Sequence, residues 1–278
     1  MSTATATAVP SPVVSASGLS LRFGERTLWD GLGFDLMPGE FVAVLGPNGT
    51  GKTSLMRILL GLLRPTAGSV DIGGRRPADA RATVGYIPQH HAFDRDQPLR
   101  GRDLVRLGLD GHRWGIGFGG RATNAKVEQA LDAVGAAGYA DTPVGTLSGG
   151  EQQRLRIAQA LVSDPELLLA DEPLLSLDLA SQQIVTGLID ARRRTAGTPV
   201  MFVTHDINPI FGLVDRVLYL APGRWAMGVP AEILTTETLT RLYGAPVDVL
   251  RVRGRVVVVG TPDDQGAHHD HDHGPEAV

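Results

Sequence analysis

The sequence predicts an α/β protein with a mostly parallel sheet, an antiparallel β edge and a helical subdomain. Short apolar segments rich in β-branched residues alternate with patterns typical of helices, as in sheets whose two faces are covered by helices. A glycine-rich loop joins one of these strands to the helix that follows it. The chain has 278 residues, of which 42% are hydrophobic, so it can bury a core of this kind.

The predicted elements follow one another in a regular order. The expected strands are Val14–Phe23, 27–36, Phe41–Leu45, 83–87, 167–170, 200–204 and 217–220. The expected helices are 53–63, 100–108, 124–137, 150–163 and 179–194, with short helical pieces up to about residue 243. Pro65, Pro88 and Pro165 mark the ends of elements, because proline cannot continue a helix and seldom lies inside a strand.

These segments differ in the burial that their patterns predict. Val14–Phe23 alternates between apolar and polar residues, whereas Phe41–Leu45 is apolar throughout and predicts a fully buried strand. Residues 89–161 are dominated by helical patterns around a glycine-rich link at 114–120. We therefore expect a helical subdomain there, within one domain of residues 14–260.

Composition excludes several classes of protein. With 26 basic and 30 acidic residues the net charge is −4, so no general basic field is present to hold nucleic acid. The chain has no cysteine, which excludes disulfides, thiolate metal sites and cysteine nucleophiles. No apolar run is long enough to span a membrane, and the first residues lack the charged start and apolar core of a secretory signal. Residues 1–13 and 261–278 have the composition of disordered tails.

A phosphate-binding loop is predicted between the third strand and the first helix. Glycines allow backbone N–H groups to turn towards phosphate oxygens, and the helix adds its positive dipole end. We expect the lysine to reach the β- and γ-phosphates and Thr53 to bind Mg²⁺. The predicted nucleotide-binding residues of this loop are Gly46, Pro47, Asn48, Gly49, Thr50, Gly51, Lys52, Thr53 and Ser54.

The phosphate-binding loop reduces the number of possible activities but does not decide among those that remain. A dinucleotide-binding protein is excluded because no Gly-x-Gly-x-x-Gly sequence lies at the loop. Kinases, GTPases, helicases and transport ATPases all remain open at this point.

Two carboxylates end a later apolar strand. Asp171 and Glu172 follow four apolar residues, and because a strand alternates its faces the two side chains cannot do the same job. Asp171 is expected to hold Mg²⁺, through water or Thr53. Glu172 is expected to polarise the water that attacks the phosphate.

A third motif lies upstream of the acidic strand. Residues 147–154 read Leu-Ser-Gly-Gly-Glu-Gln-Gln-Arg, and Ser148, Gly149 and Gly150 begin a helix that offers a second anion site. This octet, called the signature below, resembles the signature of ATP-binding-cassette (ABC) ATPases, and the resemblance covers about residues 14–250. It implies the ABC ATPase fold on a P-loop NTPase core, hydrolysis of ATP, and a homodimer in which each signature meets the γ-phosphate held by the other subunit.

The resemblance implies roles for five further residues. Phe23 matches the aromatic residue that stacks on adenine, and Gln89 matches the glutamine that senses Mg²⁺ and the attacking water. Asp178 lies in the loop that crosses the dimer interface, and Gln152 of the signature is expected at the nucleotide. His205, which follows a buried strand, matches the histidine that contacts the γ-phosphate.

The same resemblance places the chain in a transporter. It implies separate integral membrane permease subunits, an extracytoplasmic metal-binding protein, and a cytoplasmic position on the inner face of the membrane. Residues 90–108 are similar to ATPases of manganese, zinc and iron importers, which carry an acidic pair, a proline and an Asp-Leu-Val helix. Import of a transition metal is therefore favoured. Iron-siderophore or cobalamin-type import, other substrates, and a non-transport ABC ATPase of DNA repair or ribosome function are the alternatives.

The C-terminal tail is rich in histidine and aspartate. Neutral imidazoles and carboxylates at this density bind Zn²⁺, Ni²⁺ or Mn²⁺ weakly, and a solvated tail without a ligand is the alternative. The predicted metal-binding residues of the tail are His268, His269, His271 and His273.

Overall fold

The computed structural model describes residues 11–89, 93–94, 98–110 and 120–260. The strands are β1 (Val14–Phe23), β2 (Arg26–Leu36), β3 (Phe41–Leu45), β4 (Ala67–Ile72), β5 (Val84–Ile87), β6 (Leu167–Asp171), β7 (Val200–Val203), β8 (Arg216–Ala221), β9 (Arg224–Gly228), β10 (Val247–Val252) and β11 (Arg255–Gly260). The helices are α1 (Lys52–Leu59), α2 (Pro77–Ala80), α3 (Gly101–Asp110), α4 (Arg121–Ala133), α5 (Gly149–Leu161), α6 (Leu179–Ala196), α7 (Pro230–Ile233) and α8 (Thr236–Tyr243).

A six-stranded sheet forms the centre of the molecule, in the order β5-β6-β7-β3-β8-β9. Its first five strands are parallel, and β9 pairs with β8 in the antiparallel direction at the edge. Every residue of β3, β6 and β7 is buried, which explains why these strands are apolar almost throughout. The predicted mostly parallel sheet with an antiparallel edge is confirmed.

The central sheet separates two hydrophobic clusters. Phe41, Ala43 and Leu45 of β3 face a cluster that includes residues of α3, α4, α5 and α6. Val42 and Val44 point to the opposite face, into a cluster with α1 and a second sheet. This alternation gives β3 one face against helices α3 to α6 and one face against α1 and the second sheet.

The second sheet is antiparallel and has the order β2-β1-β4. The sequence patterns did not predict β4, because Ala67–Ile72 begins with small residues and is mostly exposed. Val13, which the predicted tail includes, donates its N–H to Leu36 O (2.8 Å) and accepts from Gly73 N (2.8 Å). The ordered chain therefore includes Val13. Residues 1–10 and 261–278 lie outside the described residues.

Three predicted helices end earlier than expected, and α5, which ends at Leu161, is shortened least. α1 ends at Leu59 because Gly61 takes a left-handed conformation (φ 66°) and turns the chain. α4 ends at Ala133 because Gly135 does the same (φ 65°). Of the predicted glycine-rich link at 114–120, only Gly120 lies within the described residues.

The C-terminal part of the domain is a short helix followed by a hairpin. β10 and β11, called the C-terminal hairpin below, pair only with each other, and Val247 and Val256 turn inwards from it. Strands β9 and β10 were not predicted, since their pairing partners are not visible in local patterns, whereas Val256–Val259 of β11 is a strand-like apolar run in the sequence. Among the described residues, no helix combines the length and the apolar character needed to cross a membrane.

Candidate functional site

The carboxyl ends of four parallel strands meet at one edge of the central sheet. The predicted phosphate loop follows β3, Gln89 follows β5, Glu172 follows β6 and His205 follows β7. They border one cleft of about 880 Å³, called the phosphate-loop cleft below. Its lining residues are Phe23, Arg26, Leu28, Asn48, Gly49, Gly51, Lys52, Thr53, Ser54, Gln89, Glu172, Leu175 and His205.

The loop itself needs glycine at two positions. Gly46 has φ 138°, and a Cβ there would lie 2.0 Å from Leu220 O. Gly51 has φ 93°, and a Cβ there would lie 2.7 Å from Trp29 Nε1. Thr50 is buried and donates its hydroxyl to Pro47 O (2.9 Å), which closes the loop on itself. These contacts fix the loop before any ligand is bound.

Lys52 lies inside this loop. Its ammonium donates to Gly46 O (2.7 Å) and Pro47 O (2.9 Å), and the residue is only 7% exposed. Burial lowers the pKa of Lys52, while the nearby carboxylates of Glu172 and Asp171 raise it. The loop thus holds a cation whose present partners are two uncharged carbonyls.

Asp171 ends β6 directly before Glu172, which lines the cleft, and is 5% exposed. Burial and the neighbouring Glu172 raise the pKa of Asp171, against the opposing effects of the Thr53 hydroxyl, Lys52 and Tyr86. A buried carboxylate beside a threonine hydroxyl presents the oxygen ligands that Mg²⁺ prefers. The residues present therefore fit the predicted ion.

Tyr86 is a site residue that sequence reasoning missed. Burial raises the pKa of Tyr86 to about 12, with a further contribution from the nearby Asp171 carboxylate. Tyr86 lies on β5 opposite Leu169 of β6, so it reaches Asp171 across the pair of strands. Strand register is the information that places it there, and a single sequence does not contain that register.

Glu172 leaves β6 in a left-handed conformation (φ 48°), which is uncommon for a residue with a side chain. Its N–H donates to Val203 O (3.0 Å), and its side chain is 16% exposed. The Glu172 carboxylate lies 3.7 Å from Nδ1 of His205, whose side chain is 58% exposed. The structure thus brings together two residues that the sequence separates by 33 positions, and turns Glu172 away from the direction of Asp171.

The outer wall of the cleft carries an aromatic and a basic side chain. Phe23, at the end of β1, is 53% exposed although it is large and apolar. Arg26 donates to Gly49 O (2.9 Å) and was not predicted as a site residue, because a lone arginine after a turn carries no local signal. An exposed ring beside a phosphate loop is suited to stacking on a base.

The signature lies outside this cleft. Ser148 is the N-cap of α5, and the Glu151 carboxylate accepts from both the backbone N–H (2.8 Å) and the hydroxyl (2.7 Å) of Ser148. A Cβ on Gly150 would lie 2.6 Å from the Ser181 hydroxyl of α6. Asp178 caps α6 by accepting from Ser181 N (2.7 Å), and this contact lowers the pKa of Asp178. The signature therefore lies beside the start of α6 and the loop of residues 176–178 that leads into it.

Gln152 supports the loop that leads into the signature. The residue is 4% exposed, and its amide donates to Val144 O and Leu147 O, both at 3.0 Å. Its expected place at a nucleotide held by the other subunit stays a prediction.

Two remaining predictions concern metal. Residues 268–273 of the tail and most of residues 90–97 lie outside the described residues. Within the described ranges, no group of three or more His, Asp or Glu side chains is arranged to hold a metal ion.

Comparison with known proteins gives a consistent result. Residues 29–175 match the model of the family described as ABC transporter. The chain is 33% identical over 248 residues to the manganese transport system ATP-binding protein MntB of Halalkalibacterium halodurans, covering 89% of this chain and 98% of that one. It is 38% identical to the hemin import ATP-binding protein HmuV of Bradyrhizobium diazoefficiens (84% and 89% covered).

A zinc protein and a solved structure are also similar. The chain is 33% identical to the zinc import ATP-binding protein ZnuC of Roseobacter denitrificans, covering 84% of each chain. The structure of a metal-chelate type ABC transporter in an inward-facing conformation matches with a TM-score of 0.75 and 28% identity, covering 90% of this chain and 97% of that one.

Proposed function

The chain belongs to the ABC transporter family, and from this premise we propose that it drives the import of a transition-metal ion through a separate membrane permease. It is an ATP hydrolase, as the ATP-binding subunits of that family are. The observation that carries the proposal is the phosphate-loop cleft, where Lys52, Glu172 and His205 line one space.

ATP is the substrate that this cleft fits. The exposed ring of Phe23 offers a stacking surface for adenine, and the loop N–H groups with Lys52 offer donors for the β- and γ-phosphates. The Lys52 ammonium now donates to two uncharged carbonyls. Phosphate oxygens carry charge and form stronger bonds with a cation, so they compete well for this lysine.

Hydrolysis then depends on four side chains beyond the loop. Asp171 and Thr53 would hold Mg²⁺, with Gln89 facing the same cleft, and the ion would offset the negative charge that develops on the phosphate. Glu172 accepts a proton from the attacking water. His205, which lies 3.7 Å from the Glu172 carboxylate, contacts the γ-phosphate.

A homodimer completes the site. Ser148, Gly149 and Gly150 do not line the phosphate-loop cleft, and α5 begins with them elsewhere on the surface. In the proposed dimer, each subunit supplies the cleft for one ATP and the signature for the other. The dimer would be peripheral on the cytoplasmic face of the membrane, bound to permease subunits that an extracytoplasmic binding protein supplies with metal.

The substrate is inferred from relatives. MntB and ZnuC are named for manganese and zinc, and residues 90–108 of this chain are similar to ATPases of such importers. HmuV is named for hemin and has the higher identity, 38% against 33%. Import of hemin or another iron chelate is therefore the second candidate.

The catalytic part of the proposal is tested with Glu172→Gln. We expect hydrolysis to fall about 1,000-fold because the variant cannot accept a proton, while ATP binding is kept and the ATP-bound dimer accumulates. Turnover, ATP affinity and the size of the particle are measured together. Glu166→Gln, which alters an exposed carboxylate paired with Arg75, is the control. Wild-type turnover in Glu172→Gln would remove Glu172 as the base.

The substrate is tested in cells that carry Glu172→Gln in place of the natural chain. Cellular manganese, zinc and iron are measured by mass spectrometry, and growth is measured with hemin as the iron source. Lower manganese or zinc supports the proposal. A defect restricted to growth on hemin supports the second candidate.

A further inference from the structure

The loop that carries His205 is held at its far end by hydrogen bonds. This segment, residues 204–208, is called the His205 loop below. The Thr204 hydroxyl donates to Asp206 O (2.8 Å) and accepts from Asp206 N (3.2 Å). The Asp206 carboxylate accepts from both the backbone N–H (2.9 Å) and the carboxamide (2.7 Å) of Asn208. His205 therefore lies in the middle of a turn whose geometry depends on Asn208.

Asn208 also binds a distant part of the chain. Its carboxamide donates to Val256 O (3.0 Å), and its Oδ1 accepts from Val256 N (2.8 Å). Both N–H bonds of the amide are thus used, one on Asp206 and one on the C-terminal hairpin. A carboxamide can donate and accept side by side as a peptide group does, so Asn208 joins the hairpin as a strand neighbour would.

The C-terminal hairpin has its own support. The Thr240 hydroxyl of α8 donates to Val247 O (3.2 Å) and accepts from Val247 N (3.2 Å), and the Thr236 hydroxyl accepts from Val249 N (2.9 Å). α8 is in turn tied to the central sheet by a 2.7 Å hydrogen bond between the hydroxyls of Tyr219 and Tyr243. The hairpin is therefore fixed independently of the His205 loop.

An open cavity lies beside the His205 loop, on the side that faces the C-terminal hairpin. A cavity of about 880 Å³ is bordered by the His205 loop, the hairpin and the back of the phosphate loop. Asn208 and Val256 both line it, and their two hydrogen bonds join opposite walls. Ile207 packs the loop into the core, and on the side that faces the cavity these two bonds supply the restraint.

We propose that Asn208 is a positioning residue for His205, which it holds in place by attaching the His205 loop to the C-terminal hairpin. The inference rests on the proposed function, in which His205 contacts the γ-phosphate. Without Asn208, the Asp206 carboxylate loses two donors, and the loop keeps its anchors at β7 and at the buried Ile207 but loses its attachment to the hairpin. His205 then occupies its working position less often, whereas the phosphate loop, which binds ATP, is unchanged.

The test compares two variants that each remove one two-point attachment of the hairpin. Asn208→Ala releases the hairpin from the His205 loop, and Thr240→Val releases it from α8. In the full-length chain we expect kcat for ATP hydrolysis to fall about 10-fold in Asn208→Ala, with the dissociation constant for ATP within about twofold of wild type. Thr240→Val should keep kcat within about twofold. Equal losses in both variants would mean that the hairpin has only a structural role.

A double-mutant cycle identifies the residue through which Asn208 acts. In a His205→Ala background, Asn208→Ala should lower kcat no further, because the side chain that it positions is gone. The same fold loss in both backgrounds would overturn the inference while leaving His205 essential. Wild-type kcat in His205→Ala alone would instead overturn the role proposed for His205, and with it the inference.

Hydrogen exchange gives a readout that does not depend on turnover. Amide hydrogens of the His205 loop should exchange faster in Asn208→Ala than in wild type, and should keep their protection in Thr240→Val. Protection of β3 and β7 in both variants verifies that the chain is folded. Unchanged exchange in the His205 loop of Asn208→Ala would contradict the inference.

Discussion

Helix α1 begins after Gly51 and helix α5 begins with Gly149 and Gly150, and both were predicted from sequence to receive a phosphate. At α1 the N-cap is Gly51, no side chain caps the helix, and the first turn has no acidic residue. At α5 the N-cap is Ser148, and Glu151 in the first turn completes a capping box. The first N–H groups of any helix lack partners within the helix. At α1 no side chain of the loop caps these groups, whereas at α5 the Ser148 hydroxyl accepts from Glu151 N and the Glu151 carboxylate accepts from Ser148 N.

The difference bears on how each site meets an anion. A phosphate at α1 finds the buried cation Lys52 beside the helix start. A phosphate at α5 finds Glu151, whose pKa is lowered chiefly by the hydroxyl and N–H of Ser148 and which is therefore ionised at neutral pH. We expect α1 to bind ATP in the isolated subunit, and α5 to contribute only when the other subunit presents a phosphate that displaces Glu151.

The largest effect is expected for the cation at α1. Lys52→Ala should weaken ATP binding about 100-fold, because the phosphates lose their charged partner. The chain has only two lysines, so Lys126→Ala on α4 is a matched control and should leave affinity unchanged. Calorimetry with ATP measures both. Undiminished binding by Lys52→Ala would remove the distinction between the two helix starts.

The next effect concerns the glycines themselves. Gly51→Ala should destabilise the fold by about 1–3 kcal/mol, because its φ of 93° and the Trp29 indole leave no room for Cβ. In Gly150→Ala the new Cβ meets the Ser181 hydroxyl, which can rotate away, and lies 3.3 Å from Ser181 Cβ, a contact that a small shift relieves, so its unfolding free energy should change by about 1 kcal/mol or less. Urea unfolding of the two variants compares them directly. Equal costs would show that the two loops are equally constrained.

Sequence patterns predicted much of this site, and the exceptions have a common cause. Lys52, Asp171 and Glu172 are recognisable because each belongs to a motif that is continuous along the chain and adjoins a buried strand. Tyr86 and Asn208 were missed because each acts across the fold, on Asp171 and on Val256 respectively.

The unpredicted strands β4, β9 and β10 follow the same rule. Each is largely exposed or only partly buried, so burial does not mark it in the sequence, and pairing with a neighbour defines it. β11 differs, because its four consecutive valines form a strand-like run that is visible in the sequence. Local patterns therefore give the buried strands and the phosphate loop, and tertiary pairing gives the rest.

A smaller effect is expected at α5. Glu151→Gln keeps the capping box, since a glutamine side chain can still accept from Ser148, but removes the negative charge. We expect the ATP-dependent dimer to become about threefold to tenfold tighter, because the incoming phosphate no longer meets a carboxylate. Ultracentrifugation of the variant with ATP measures this.

The pH dependence at Glu151 follows from the direction of its shift. The lowered pKa means that the cap stabilises the fold above the ordinary glutamate pKa and loses this effect only as pH falls through the lower folded value. The difference in unfolding free energy between Glu151→Gln and wild type should therefore persist between about pH 5 and 8. A difference that vanished as pH fell within that range would contradict an ionised Glu151.

The smallest effect on ATP hydrolysis is expected from the tail, which belongs to neither helix start. Removing residues 261–278 should leave basal hydrolysis nearly unchanged, because no residue of the two motifs lies there. The full chain should bind Zn²⁺ with a dissociation constant in the micromolar range, because ordering a segment with the composition of disorder costs entropy that weakens ligation. The same truncation should abolish this binding.

The tail should bind Zn²⁺ more tightly than Mn²⁺, and less tightly below about pH 6, where protonated imidazole cannot ligate. Calorimetry compares the full chain, the truncated chain and a full-length chain in which the four tail histidines are changed to alanine. Equal Zn²⁺ binding by the full and truncated chains would show that the tail is solvated and binds no metal. If the truncated chain and the alanine chain both lose binding, the imidazoles are the ligands, and the tail can buffer metal beside the permease without entering the ATPase cycle.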